Sequence, residues 1–200
     1  MNMKSCLLGT CSLWGLGAAS LSASLIAYDG FDYVAGTGLD GQSGGTGWSG
    51  SWGAQPIVEL YTPSAPLSYN NGSVVVSGGS TGVNLLSNDA TATNRAFAAQ
   101  TGTLYFSFLF RYDDNGSPGS LDVDDFVHFM LNDDLENHSS GGIGLLSTGS
   151  ASLGARVGTS NGGDSTHSSI SMTADTTSLL VGKLEKAGTS GNYDRISLFV

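Results

Sequence analysis

The longest run of large apolar residues predicts the strand around which the chain packs. Residues 103–112 read TLYFSFLFRY. With the two-residue period of a β-strand, Leu104, Phe106, Phe108 and Phe110 lie on one face and mostly polar residues lie on the other. Four large apolar side chains on one face need a covering layer. Because the chain offers almost no helical pattern, a second sheet is the expected cover.

Short strands separated by turn signals account for the rest of the chain. The apolar pattern predicts further strands at residues 26–33, 57–61, 67–69, 74–77, 83–86, 126–131, 141–146, 153–157, 168–172, 178–186 and 196–200. We expect the strongly apolar strand 126–131 to pair with the strand 103–112. Residues 90–99 form the one candidate for a short helix. Strands and turns spaced by about ten residues are typical of β-sandwiches and barrels, which predicts an all-β, antiparallel, two-sheet sandwich.

Composition supports one glycine-rich domain. The 200 residues include 30 glycines, and only 12% of them are charged, compared with about 25% in an average domain. Many tight turns between short strands explain this bias. The last predicted strand is still in progress at Val200, so we expect the domain to be incomplete at its C-terminal end.

The N-terminal residues have the pattern of a secretory signal. Lys4 precedes an apolar stretch at residues 6–16, and small residues follow at 18–24. We therefore divide the chain into a signal peptide, residues 1–24, and a β-sandwich domain, residues 25–200, that carries no transmembrane span. Both cysteines, Cys6 and Cys11, belong to the signal, so the mature chain is expected to lack disulfides and cysteine-bound zinc.

Charge argues against nucleic acid as a partner. The formal net charge is −10, with seven Lys and Arg against 17 Asp and Glu, whereas phosphate binding needs clustered cations. An acidic surface is typical of a soluble secreted protein. It leaves the ligand and the oligomeric state open.

Two groups of residues are candidate binding sites. Exposed aromatic rings stack on sugars, which makes Trp48, Trp52 and Tyr112 candidate glycan-binding residues. The alternative, which we favour for the tryptophans, is that both lie on one face of a strand and cap the core. Carboxylate and amide oxygens are the ligands that calcium prefers, so a calcium site is predicted from Asp113, Asp114, Asn115, Asp122, Asp124 and Asp125. The alternative for these six residues, which we slightly favour, is a solvated turn followed by an acidic edge.

Four segments in this order and spacing resemble a known family. They are residues 28–33 (YDGFDY), the glycine-rich loop leading into 47–52 (GWSGSW), 104–111 (LYFSFLFR) and 193–200 (YDRISLFV). The chain resembles secreted bacterial proteins with a concanavalin A-like lectin/glucanase (LamG-like) jelly roll. Members of that family often end in a PEP-CTERM sorting signal, which this chain lacks. The resemblance implies a jelly-roll fold and a location outside the cell or at its surface.

The resemblance raises the possibility of a glucanase, and the residues argue against it. Retaining glucanases of this fold carry Glu-x-Asp-x-x-Glu on one strand. The only glutamates are Glu59, Glu136 and Glu185, and none lies in such a motif. The three histidines form no metal motif, and no nucleophile elbow is present. A pair of aspartates from separate strands remains open.

The sequence therefore favours a secreted or surface-displayed, lectin-like protein that is not an enzyme and binds polysaccharide. The alternative is a structural surface protein without a small-ligand site. A glycoside hydrolase is the least favoured reading. Fold does not by itself decide among these functions.

Overall fold

The computed structural model describes residues 24–54, 58–61, 67–79, 81–85, 93–111, 126–131, 142–147, 151–156, 165–189 and 193–200. All regular elements within these ranges are β-strands. None of the described residues belongs to a helix with the length and apolar character that crossing a bilayer requires. The expectation of an all-β chain is thus confirmed for the part of the protein that the structure describes.

The strands are two to eight residues long. In chain order they are β1 (Gly53–Ala54), β2 (Val58–Tyr61), β3 (Ser68–Asn70), β4 (Val75–Ser77), β5 (Gly82–Leu85), β6 (Thr93–Asn94), β7 (Leu104–Phe110), β8 (Phe126–Met130), β9 (Gly142–Ser147), β10 (Ala151–Arg156), β11 (Ser165–Ser171), β12 (Ser178–Glu185) and β13 (Arg195–Phe199).

Two larger sheets and three two-stranded ribbons result, and every pair is antiparallel. Strands β8, β9, β10 and β11 follow one another as a four-stranded meander. Strand β12 is the centre of a three-stranded sheet and lies between β7 and β13. The ribbons are β1 with β6, β2 with β5, and β3 with β4. Jelly-roll connectivity stays a prediction.

The main core lies between the two larger sheets. Leu180 of β12 and Ile143 of β9 are fully buried in one cluster, against which Phe106, Phe108 and Phe110 of β7 pack. The remaining members of this cluster are Met172, Ile196 and Leu198. The predicted apolar face of the strand 103–112 therefore faces the core, and a second sheet covers it.

The observed pairing of β8 differs from the expected one. We expected residues 126–131 to pair with β7, but β8 pairs with β9, and β7 pairs with β12. The two strands instead lie in facing sheets. The centroid of the Phe129 ring is 5.4 Å from that of Phe106 and 5.1 Å from that of Phe108. Packing of Phe129 against the apolar face of β7 explains this arrangement better than pairing within one sheet.

Two further expectations are wrong. The predicted strand 26–33 is reduced to a single bridge between Tyr28 and Thr46. In the predicted helix 90–99, the described residues form β6 and a bridge between Phe97 and Trp48. Long-range pairing outweighs the weak local helix propensity there.

Gly182 allows the Phe106 ring to fill the core. It lies on β12 directly opposite Phe106, and a Cβ at this position would overlap the ring. The strand therefore needs a residue without a side chain at this point, because the ring lies across its backbone.

We expect Gly182→Ala to lower the melting temperature. Overpacking of a tight core costs about 1–3 kcal/mol, and each 1 kcal/mol shifts the midpoint by about 2–4 °C in a chain of this size. Thermal unfolding followed by circular dichroism measures the change. Gly82→Ala in β5 is the matched control, since a Cβ there meets nothing within 4 Å. Equal melting temperatures for the two variants would contradict this role of Gly182.

Candidate functional site

A second apolar cluster, separate from the core between the sheets, contains one of the two predicted tryptophans, Trp52. Leu39 and Trp52 are buried in it, and Phe31 and Tyr33 pack against them. All four residues come from the glycine-rich N-terminal part of the chain, where Trp52 N–H donates to the Gln42 carbonyl and the Trp52 carbonyl accepts from Gly41 N–H. A loop region with little regular structure thus has its own core.

A buried ion pair lies at the centre of this cluster. The Asp29 and Arg95 side chains are only 4% and 3% exposed, and Arg95 Nη1 lies 2.9 Å from Asp29 Oδ2. The same oxygen accepts hydrogen bonds from Tyr33 Oη at 2.6 Å and Trp52 Nε1 at 2.9 Å. Asp29 Oδ1 accepts the backbone N–H of Phe31. The carboxylate is therefore saturated by partners of its own chain.

Arg95 connects the end of β6 to the glycine-rich loop. Its Nε donates to the Gly50 carbonyl at 2.8 Å, and its Nη1 donates to the Gly44 carbonyl at 2.6 Å. The guanidinium carbon lies 5.4 Å from the centroid of the Trp48 ring and 6.0 Å from that of the Trp52 ring. These are cation–π distances. One side chain thus holds together segments that lie far apart in sequence.

Glycine is required where the loop touches the preceding segment. Gly45 and Gly47 have φ values of 75° and 79°, a region that favours glycine. A Cβ on either would overlap a backbone carbonyl oxygen, that of Tyr28 or that of Ile26. The close approach permits the paired backbone bonds between Tyr28 and Thr46, at 2.9 and 2.8 Å.

Both tryptophans take part in internal contacts. Trp52 is 8% exposed, and its ring stacks on Phe31 at 5.8 Å. Trp48 is half-buried, donates from Nε1 to the Tyr28 carbonyl at 3.0 Å and meets Phe97 edge to face. The two indole rings are 5.8 Å apart. They lie in the glycine-rich loop, with Trp52 in the second cluster and Trp48 beside it. They do not lie on one face of a strand over the main core, and their part in glycan binding stays a prediction.

The environment of Tyr33 keeps its phenol protonated. Burial raises the pKa of Tyr33 above its ordinary value of 10.0, and the hydrogen bond to Asp29 and the charge of Asp29 raise it further. The phenol therefore continues to donate to Asp29 through the pH range in which an exposed tyrosine begins to ionise.

A different aromatic side chain is open to solvent on the outer face of the three-stranded sheet. Tyr105 is 64% exposed. Lys183, directly opposite on β12, places Nζ 5.9 Å from the Tyr105 ring centroid and 2.6 Å from Glu185 Oε1. The bond to Glu185 raises the pKa of Lys183. Arg195 lies opposite Glu185 on β13, and the exposed Phe199 lies further along the same strand.

We call the surface formed by Tyr105, Lys183, Glu185, Arg195 and Phe199 the Tyr105 face. Alternation along the strands puts all five on the side opposite the core. Sequence reasoning placed Tyr105 on the polar side of its strand but did not select it. The pairing of β7 with β12 was needed to bring Lys183 beside it.

The described residues between β12 and β13 contact one another and the segment before β7. Asp194 accepts the backbone N–H groups of Ala187 and Gly188, both at 2.6 Å. Lys186 Nζ lies 4.8 Å from the centroid of the Tyr193 ring, and Tyr193 Oη donates to the Gly102 carbonyl at 2.6 Å. This end of the Tyr105 face is therefore connected to the segment that leads into β7.

The other predicted site residues are not placed. Tyr112 and all six predicted calcium ligands, Asp113, Asp114, Asn115, Asp122, Asp124 and Asp125, lie outside the described residues. Within the described ranges, no group of three or more His, Cys, Asp or Glu side chains could hold a metal ion. The calcium site stays a prediction.

The chain matches no family model, no curated protein and no solved structure. The concanavalin A-like resemblance therefore remains an expectation based on the four sequence segments.

We expect Arg95→Met to destabilise the protein by about 3–5 kcal/mol, because it leaves the buried Asp29 carboxylate without its counter-ion. Urea unfolding followed by far-UV circular dichroism measures the loss. Adding Asp29→Asn should recover part of it, because the unpaired charge is then removed.

Arg195→Met is the matched control. This arginine is exposed on β13, and its replacement should change stability by no more than about 0.5 kcal/mol. A loss for Arg95→Met no larger than for Arg195→Met would contradict the central position of the buried pair.

Proposed function

We propose that the protein is a secreted or surface-displayed, lectin-like β-sandwich of the concanavalin A-like jelly-roll type, that it is not an enzyme, and that it binds polysaccharide. The observation that carries this proposal is the Tyr105 face, where an exposed aromatic ring lies beside a Lys183–Glu185 pair. Export is supported by the N-terminal signal pattern and by the family resemblance.

The chemistry of the Tyr105 face suits a sugar. One side of a pyranose ring is a C–H surface that stacks on an aromatic ring, and its edge carries hydroxyl groups. Lys183 supplies only hydrogen-bond donors and Glu185 only acceptors. Together they can donate to a sugar hydroxyl oxygen and accept from a sugar hydroxyl hydrogen.

The same face supports binding without hydrolysis. Glycoside hydrolysis needs two carboxyl groups about 5–10 Å apart. Glu185 is the only carboxylate among the described outward-facing residues of β7, β12 and β13, and it is paired with Lys183. A lone ion-paired carboxylate lacks the partner that the reaction needs.

Calcium is part of the proposal as an ordering ion. Its ligands would be the six oxygen-bearing residues predicted between the strands β7 and β8. It would fix that connection rather than take part in chemistry.

A structural surface protein is the second candidate. The observation that favours it is the internal use of Trp48 and Trp52, whose indole N–H groups both bond to acceptors of the same chain. In that case the tryptophans only stabilise the domain, and no glycan response is expected.

We expect the mature protein to bind at least one member of a panel of soluble and insoluble polysaccharides, tested with calcium and with chelator. Tyr105→Ala should weaken that binding by about two- to tenfold, since an aromatic contact contributes about 0.5–1.5 kcal/mol. Isothermal titration and pull-down assays measure the change. Unchanged melting temperatures would show that both proteins are folded.

Two further variants locate the surface. Tyr28→Ala removes another exposed tyrosine outside the Tyr105 face and should leave binding unchanged. Trp48→Ala tests the predicted tryptophan surface. Binding that is lost in Trp48→Ala but kept in Tyr105→Ala would place the glycan on the tryptophans, and no binding by the folded parent would favour the structural protein.

A further inference from the structure

We infer that the Tyr105 face binds an acidic polysaccharide, one whose repeating unit carries carboxylate or sulfate groups. This inference rests on the proposed function and adds the substrate class to it. It is based on where the few cations of an acidic protein lie.

The positive charges of the chain are concentrated beside this face. Of its seven Lys and Arg residues, three lie on or next to the pair β12 and β13: Lys183, Lys186 and Arg195. Arg95 is buried against Asp29. A protein of net charge −10 thus keeps nearly half of its cations within 13 residues of sequence.

The Tyr105 face itself has an excess of positive charge. It carries Lys183 and Arg195 against the single carboxylate of Glu185, which gives +2 − 1 = +1. Lys183 Nζ lies 2.6 Å from Glu185, and Arg195 is the cross-strand neighbour of the same residue. Glu185 therefore lies between two cations and cannot neutralise both.

Lys186 and Asp194 form the rim of the Tyr105 face, and they add one cation and one carboxylate. Lys186 lies over the Tyr193 ring. The Asp194 carboxylate accepts two backbone N–H groups, those of Ala187 and Gly188, and these donors offset its charge. The rim does not cancel the positive charge of the face.

A carboxylate or sulfate on a sugar matches this arrangement. Arg195 can bind two oxygens of such a group at once, and Lys183 can bind a third as a point charge. Stacking on Tyr105 then orients the ring. Because the rest of the protein is strongly negative, an acidic chain is repelled elsewhere and directed to this face.

The test compares matched pairs of probes by isothermal titration with the mature protein. Polygalacturonate is compared with its methyl-esterified form, and dextran sulfate with dextran. We expect the charged member of at least one pair to bind about tenfold more tightly than its neutral counterpart. The difference should largely disappear in 1 M salt, where the Debye length is about 3 Å.

Removing a negative or a positive charge from the Tyr105 face should change the affinity for the charged probe in opposite directions. Glu185→Gln should tighten binding of the charged probe severalfold, because it releases Lys183 from its ion pair. Lys183→Gln and Arg195→Gln should each weaken it severalfold. Arg195 is exposed, so Arg195→Gln tests the inference even if a change in the Lys183–Glu185 pair disturbs the strand.

The outcomes separate this inference from the proposed function. If charged and neutral probes bind equally and Glu185→Gln weakens both, the protein binds neutral glycans and only the acidic class is wrong. If single-stranded DNA binds more tightly than either charged polysaccharide, the face recognises charge alone and the inference fails. If the folded protein binds no polysaccharide, both fail.

Discussion

A buried ion pair holds residues 24–54, the described N-terminal segment of this protein, in place. Asp29 and Arg95 are 66 residues apart in sequence, and their partners include both a buried tryptophan and the backbone of the glycine-rich loop. Two buried charges are expensive to remove from water, and they stabilise only when every remaining hydrogen-bonding site is filled. The loop provides those sites, which explains why so much of it is glycine, with close backbone contacts instead of side chains.

The ion pair also limits where a ligand can bind. It engages the indole of Trp52 directly, and its guanidinium covers the rings of both tryptophans. A sugar that stacked on Trp52 would have to displace Phe31 or Trp48. The three-stranded sheet differs, because one face of β7 packs in the core and Tyr105 lies exposed on the other face. Packing of the two clusters therefore leaves the Tyr105 ring more accessible to a sugar than the tryptophan rings.

Local pattern was enough to predict β7 and its buried face, because strand alternation depends only on neighbouring residues. It failed where the partner is distant. The pairing of β7 with β12 joins residues from Ser178 and Phe110, 68 positions apart, to Leu184 and Leu104, 80 positions apart, and no local signal distinguishes it from pairing with the nearer β8. The same holds for Arg95, which appears in the sequence as an isolated cation within a weak helical pattern. Tyr105 could have been singled out from its polar strand face, but its neighbour Lys183 required the fold.

The most direct test of this account is hydrogen exchange of the indole N–H groups of Trp48 and Trp52, followed by NMR. Both groups donate to internal acceptors. If the buried pair organises the N-terminal cluster, both should exchange far more slowly than a free indole, and both should lose protection together in Arg95→Met. Rapid exchange in the parent protein, or protection that survives loss of Arg95, would contradict the account.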